Sequence, residues 1–197
     1  MQLKDNKLRK NAINQHKQSG FTLLELVVVI IVISILGLFA IDRIWSLRIA
    51  AEQAAVNQII GNIRSALGLE VARLALQGKM SAVAKLDNTN PFPLLAQAPN
   101  NYRGVLGDDD HITEAGVWYF DKKQKALIYN VTYKENFKTT LKGVPRIRHR
   151  IKLVYSDQNN NDRYDVQYDS IGGLDLVPIE KFSWDVKPAS ENIIAKQ

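Results

Sequence analysis

Residues Phe21–Ile41 read FTLLELVVVIIVISILGLFAI, a run of 21 residues with one charged side chain, Glu25. At 1.5 Å per residue, a helix of this length spans about 31 Å, close to the roughly 30 Å hydrocarbon core of a bilayer. The run is rich in Val and Ile, which favour strands in water. In lipid, however, a helix satisfies its own backbone hydrogen bonds, whereas a lone strand does not. The stretch therefore predicts a membrane-spanning helix at residues 21–41.

The residues before Phe21 carry most of the net positive charge of the chain. They contribute a net +4 of the formal net charge of +6 of the 197-residue protein. Basic residues beside an apolar run stay on the cytoplasmic side of the membrane. The charge is therefore evidence for topology and poor evidence for nucleic-acid binding by the rest of the chain. An ordinary signal anchor fits this pattern. A cleavable secretory signal fits less well, because its apolar region runs to only about 15 residues and a small-residue cleavage site follows.

A third interpretation depends on the order of the residues. Gly20-Phe21-Thr22-Leu23-Leu24-Glu25, followed by the apolar run, resembles the N-terminus of type IV pilins and of type II secretion pseudopilins. In that family a membrane peptidase cuts after the glycine, and the new first residue is N-methylated. The resemblance implies cleavage between Gly20 and Phe21, methylation of Phe21, and an assembly role for Glu25 at the fifth mature position. The chain departs from the pattern in its long leader, residues 1–20, and in Asp42, where many pilins carry proline.

Glu25 is the unusual residue of the apolar run. A charge near the middle of a membrane costs on the order of 3 kcal/mol, and less near the edge, where it also interacts favourably with the helix dipole. An edge residue whose carboxylate reaches the interface is one interpretation. The family resemblance implies another: in a filament, the Glu25 carboxylate neutralises the α-amino group of Phe21, in its own subunit or in a neighbour.

The helical pattern continues beyond the membrane, over residues 42–78. Apolar residues recur at spacings of three and four, as on one face of a helix. They are Val56, Ile60, Ile63, Leu67, Val71 and Leu74. Gln77-Gly78 is a suitable end for the helix. A continuous helix over 21–77 would be about 85 Å long, and its second half is expected to pack on a sheet.

Residues 79–115 form a predicted connector with three prolines, which suit irregular structure. It is either a surface contact or a passive loop. Strand signals follow in residues 116–186, with Gly116–Phe120 and Ala126–Tyr133 as a hairpin and Arg146–Tyr155 as a strictly alternating strand. Residues 164–169 and Leu174–Val186 are weaker strand candidates. Residues 187–197 are expected to be a frayed tail. The fold class is α+β, a long N-terminal helix packed on a small, mostly antiparallel sheet.

Arg146, Arg148, Arg150 and Lys152 share one face of the alternating strand, opposite Ile147, His149, Ile151 and Leu153. Three interpretations stay open: a solvated sheet face, a contact between subunits, or a nucleic-acid-binding stripe. The basic residues are not interleaved with aromatic ones that could stack on bases. Nucleic-acid binding is therefore the weakest of the three.

The loop SDQNNNDRYD, residues 156–165, carries Asp157, Asn159 and Asn161 at alternate positions, like the start of a calcium loop. Asp162 replaces the turn glycine of such loops, and Tyr168 stands where their twelfth-position Glu would be. Calcium is therefore a weaker prediction than a polar turn. The DDDH stretch, residues 108–111, is expected to be a solvated loop.

Catalysis finds no support in the sequence. The chain has no cysteine, which excludes disulfides, zinc–thiolate sites, iron–sulfur clusters and a cysteine nucleophile. The three histidines, His16, His111 and His149, show no spacing with a partner that would suit a base–nucleophile pair or a metal site. The sequence predicts a protein that is not an enzyme and that holds no cofactor, calcium excepted.

The resemblance implies a structural subunit of a type IV pilus-like filament, either a minor pilin or a pseudopilin. It implies single-pass storage in the bacterial inner membrane, with the leader cytoplasmic and the C-terminal domain periplasmic, before assembly into a pilus or pseudopilus. The implied partners are the prepilin peptidase and methyltransferase, other pilin or pseudopilin subunits, the inner-membrane assembly platform with its ATPase, and membrane lipid. The alternative is a membrane-anchored periplasmic binding protein that does not assemble.

Overall fold

A computed structural model describes residues 21–107 and 112–185. The chain divides into two compact units, one ending at Asp42 and one beginning at Arg43. The leader, the DDDH stretch and the predicted tail lie outside the described residues. Helix α1, Leu23–Leu76, is the principal helix, and it runs from the first unit into the second.

The first unit is the apolar part of α1. The large apolar side chains described there are exposed; the exposed fraction is lowest for Val29, at 38%, and highest for Leu23, at 82%. The described helix is long and apolar enough to cross a membrane, near the N-terminus. Ser34, a polar residue within the run, donates its hydroxyl to the carbonyl of Ile30 at 2.7 Å. This bond satisfies the hydroxyl inside the helix.

In its described residues, the second unit combines the rest of α1 with seven strands. The strands are β1 Tyr102–Leu106, β2 Trp118–Asp121, β3 Ala126–Asn130, β4 Phe137–Thr139, β5 Arg146–Ser156, β6 Ser170–Pro178 and β7 Phe182–Trp184. Five form one sheet in the order β1-β2-β3-β5-β6, and β4 pairs with β7 separately. Only β1 pairs in parallel, with β2. The predicted α+β architecture is confirmed.

The core lies between the apolar stripe of α1 and one face of the sheet. Ile63 and Leu67 of the helix are at most 1% exposed and belong to the same cluster as Trp118, Leu127 and Ile151 of the sheet. Burying a large aliphatic side chain stabilises a fold by about 1.5–3 kcal/mol, so this stripe holds the helix on the sheet. A smaller cluster, Leu106, Tyr119, Ala126 and Ile128, covers the opposite face at β2 and β3.

The predicted hairpin is confirmed as β2 and β3, with Trp118 opposite Tyr129. The alternation of β5 is confirmed as well, since Ile147, His149 and Ile151 are buried while the intervening basic residues are not. Both predictions succeeded because each rests on a local pattern, period-two alternation in β5 and two apolar runs around a polar turn in the hairpin.

The structure corrects the sequence predictions for three segments. The connector contains β1, Tyr102–Leu106, and two short 3₁₀ helices, Met80–Leu86 and Phe92–Leu94. Residues 164–169 are not a strand but part of the β5–β6 loop, because Asp165 and Asp169 draw backbone N–H groups into turns. The predicted stretch Leu174–Val186 contains, in its described part, the end of β6 and all of β7 rather than one strand.

A buried carboxylate fastens α1 to the end of β3. Glu52 is 8% exposed and lies on the same helix face as Ile49 and Val56. Its carboxylate accepts the backbone N–H of Thr132 at 2.6 Å and of Tyr133 at 3.1 Å. It also accepts the hydroxyl of Tyr129 at 2.8 Å. Burial, and then this hydrogen bond, raise the pKa of Tyr129 well above its ordinary value.

We expect Glu52→Ala to lower the free energy of unfolding by about 3 kcal/mol, because one buried and two partly buried donors lose their acceptor at about 1 kcal/mol each. Urea unfolding of the full chain in detergent, followed by tryptophan fluorescence, measures the change. Glu135→Ala is the matched control, since Glu135 is exposed in the same region. Equal stabilities of the two variants would contradict the role of Glu52.

His149 is buried neutral beneath α1. It is 2% exposed, its Nδ1 has no hydrogen-bond partner among the described residues, and its ring meets that of Phe182 edge-on at 5.9 Å. Burial, and then the nearby Arg64 cation, lower the pKa of His149 to about 4. In the unfolded chain His149 has its ordinary pKa of about 6.5. Between about pH 6.5 and 4 the unfolded chain therefore binds a proton at His149 that the folded chain does not bind.

We therefore expect stability to fall as the pH decreases from about 6.5 to about 4, by up to about 3 kcal/mol from this residue, and no further below that range. In His149→Leu, the part of the slope that belongs to His149 should vanish. Melting temperatures of both proteins across this pH range provide the test. Parallel curves for the two proteins would show that His149 does not titrate as argued.

Candidate functional site

The predicted motif lies at the first turn of α1. Thr22 precedes the helix and caps it: its hydroxyl accepts the backbone N–H of Glu25 at 3.2 Å, and its carbonyl accepts that of Leu26 at 3.1 Å. A threonine cap stabilises a helix by about 1 kcal/mol. Thr22-Leu23-Leu24-Glu25 has the form of a capping box, a signal that the sequence contained and our interpretation missed. Helix α1 therefore begins at Leu23, two residues after Phe21, the predicted first residue of the mature chain.

Glu25 stands in this first turn with an exposed side chain. Among the described residues its carboxylate forms no ion pair. A carboxylate at this place is favoured by the partial positive charge of the helix N-terminus. Phe21 is 69% exposed beside it. The site is thus an acidic group on an otherwise apolar helix end, suited to pair with a cation from another molecule or from a newly made chain end.

Gly20 lies outside the described residues, so cleavage between Gly20 and Phe21 and methylation of Phe21 stay predictions. Phe21 itself precedes the helix, whose first residue is Leu23. Phe21 is therefore outside the hydrogen-bonded part of α1.

Comparison with protein families gives one result. Residues 15–41 match the model of the prokaryotic N-terminal methylation motif, the prepilin motif of type IV pilins and pseudopilins. The match covers the predicted cleavage site, Glu25 and the apolar run together. No curated protein and no solved structure matches the chain.

The chain thus carries a prepilin-type motif on a helix that can span a membrane, and these two features fit a type IV pilin-like subunit anchored in a membrane. The motif implies processing by prepilin peptidase and assembly with other pilin subunits. Proteins with this motif are generally structural rather than enzymatic.

The calcium candidates lie in the β5–β6 loop. Asp157 accepts the backbone N–H of Asn161 at 3.4 Å and of Asp162 at 2.8 Å. Asn159 and Asn161 both donate their side-chain amides to Asp165, at 2.9 and 2.6 Å. These two amides lower the pKa of Asp165. The three predicted residues share one loop, where their side chains bind Asp165 or backbone N–H groups, and calcium binding stays a prediction.

No group of three or more His, Asp or Glu side chains converges into a metal-binding arrangement within residues 21–107 and 112–185. His149 is enclosed in the core. His16 and His111 lie outside the described residues, together with the DDDH stretch.

The cationic face of β5 is occupied largely by contacts within the chain. Arg148 pairs with Glu180 through two guanidinium nitrogens and also donates to Gln124. Burial, and then the neighbouring Arg146 and Arg150, lower the pKa of Arg148 below its ordinary value. These side chains therefore serve the fold at this position.

Two further basic residues of this face also bind groups of their own chain. Arg146 donates to the carbonyls of Lys142 and Val144, and Arg150 donates to those of Lys125 and Gln124. A guanidinium that binds its own backbone offers fewer donors to a phosphate. The face therefore favours a structural interpretation over a nucleic-acid-binding stripe.

Our sequence analysis missed Glu52, a buried polar residue with three hydrogen-bond donors. Its position continues the stripe of buried residues on α1, three residues after Ile49 and four before Val56. A charged residue on an apolar stripe is a signal, because such a group is buried only when it has partners.

Proposed function

We propose that this protein is a structural subunit, a minor pilin or pseudopilin, of a type IV pilus-like filament. It is synthesised with a cytoplasmic leader, cut between Gly20 and Phe21, held in the inner membrane by α1, and then moved into a filament by an assembly platform and its ATPase. The observation that carries the proposal is the exposed carboxylate of Glu25, the acidic residue in the first turn of α1, at the start of a run of exposed apolar side chains.

Cleavage creates the partner that Glu25 lacks. The new α-amino group of Phe21 is a cation at physiological pH, since such groups have a pKa near 8. Among packed apolar helices an unpaired charge costs several kcal/mol, whereas a charge pair offsets most of that cost. Pairing the carboxylate of one subunit with the amine of a neighbour therefore selects one axial register of the helices.

The same helix surface suits both the stored and the assembled states. In the membrane, lipid covers the apolar side chains of the run Leu23–Ile41. In a filament, the corresponding helices of other subunits cover them. Since both surroundings are apolar, moving the helix from the membrane to the filament changes its hydrophobic free energy little. The charge pair then decides how the helices align along the filament axis.

Glu25→Leu should leave leader cleavage intact but abolish incorporation into filaments, because the Phe21 amine would be buried without a partner. Ser34→Ala is the matched control on the same helix, since its hydroxyl is satisfied within the helix at 2.7 Å. Immunoblots of the membrane fraction and of sheared filaments measure both steps.

Filaments that contain the Glu25→Leu variant at the level of Ser34→Ala would contradict the pairing. Correct cleavage of wild-type protein that never enters any filament would instead favour a membrane-anchored protein that does not assemble.

A further inference from the structure

An exposed patch of aromatic and basic side chains lies at the start of the second unit, beside helix α1. Trp45 is 52% exposed. The ring of Tyr133 meets the Trp45 ring edge-on, with centroids 6.4 Å apart and planes at 90°. The guanidinium of Arg48 lies over the Trp45 ring, 5.4 Å from its centroid. With the exposed Lys134, these residues form what we call the juxtamembrane patch.

The loop that supplies Tyr133 and Lys134 is fixed to the helix by Glu52. The Glu52 carboxylate holds the backbone N–H groups of Thr132 and Tyr133 at 2.6 and 3.1 Å. These bonds hold the loop by its backbone, which leaves the Tyr133 and Lys134 side chains at the surface. The patch is therefore a built feature of the second unit rather than a chance meeting of mobile side chains.

The position of the patch along the chain places it near the end of the apolar run. Trp45 follows Ile41 by four residues, and four residues span at most about 14 Å even when fully extended. At the helical rise of 1.5 Å per residue they span about 6 Å, which is the depth of the headgroup layer beyond the hydrocarbon core. Trp and Tyr concentrate in that layer because one part of each ring is apolar and another forms hydrogen bonds.

We propose that the juxtamembrane patch binds the lipid headgroup surface of the bilayer that α1 crosses. Trp45 and Tyr133 insert at the interface, while Arg48 and Lys134 contact lipid phosphates. This inference rests on the membrane anchoring in the proposed function and adds a second contact with the bilayer, made by the sheet-bearing unit. The contact holds that unit in one orientation at the membrane before the helix is extracted.

The chain has no cysteine, so a single introduced cysteine can carry a unique fluorescent label. Glu135→Cys, labelled with an environment-sensitive dye, reports on the loop of the patch without removing any of its side chains. Asn160→Cys is the matched control: it lies in the loop after β5. That strand has 11 residues, and its other end, Arg146, pairs with Asn130 of β3. The two labels are thus separated by about the length of β5, roughly 33 Å.

The full chain is placed in nanodiscs of phosphatidylethanolamine and phosphatidylglycerol that contain a lipid with a spin label on its headgroup. We expect the label at 135 to lose at least about half of its fluorescence, since interfacial groups contact the headgroups directly, and the label at 160 to lose little. Trp45→Ala together with Arg48→Gln should reduce the quenching at 135. Equal, weak quenching at 135 and 160, or quenching at 135 that the double substitution leaves unchanged, would overturn the proposal.

A third label, at Ile33→Cys in the apolar run, separates this inference from the proposed anchoring. Quenching at 33 by a spin label deep in the acyl chains shows that the helix is inserted. If the label at 33 is quenched and the label at 135 is not, the patch proposal fails while the anchoring stands. If the label at 33 is not quenched, the anchoring fails, and the patch proposal that rests on it fails with it.

Discussion

The side chains of helix α1 change from exposed to buried between Ile41 and Ile49. The large apolar side chains up to Ile41 are exposed, whereas a stripe of side chains from Ile49 onward is buried against the sheet. The first part needs an apolar surrounding on every side, and the second needs one apolar stripe. The rest of the second unit is arranged around that stripe, with Trp118, Leu127 and Ile151 packed against it. The chain outside the first unit therefore folds around one half of the helix and leaves the other half to lipid or to other helices.

Most of the fold could be predicted because its main elements have local patterns. The stripe of α1 and the alternation of β5 each follow from one buried face. Strand β1 escaped prediction because it has Gly104 in the left-handed region, with φ of 90°, and because it pairs in parallel with β2, which no hairpin signal announces. The strand predicted at residues 164–169 does not form, since the Asp169 carboxylate accepts the backbone N–H groups of Gln158 and Asp165 and so competes with strand pairing.

At the candidate site, a sequence motif led to Phe21 and Glu25, and the family match over residues 15–41 covers both, while their roles stay predictions. The cap by Thr22 and the role of Glu52 were not predicted. A capping box can be read from sequence alone, but the partners of Glu52 cannot, since they come from a loop 80 residues away. Glu52 nonetheless matters for function, because it fixes the loop after β3 to α1, the helix whose first turn carries Glu25.

We propose that removal of the leader gives the chain a charged N-terminus at Phe21, next to the apolar run. N-terminal sequencing with mass spectrometry tests this on protein extracted from the membranes of a bacterium that has a prepilin peptidase. We expect a mature chain that begins with N-methylated Phe21, without Gly20 or any residue before it. A chain that retains Met1, or that begins at another residue, would show that the leader is not removed at this bond.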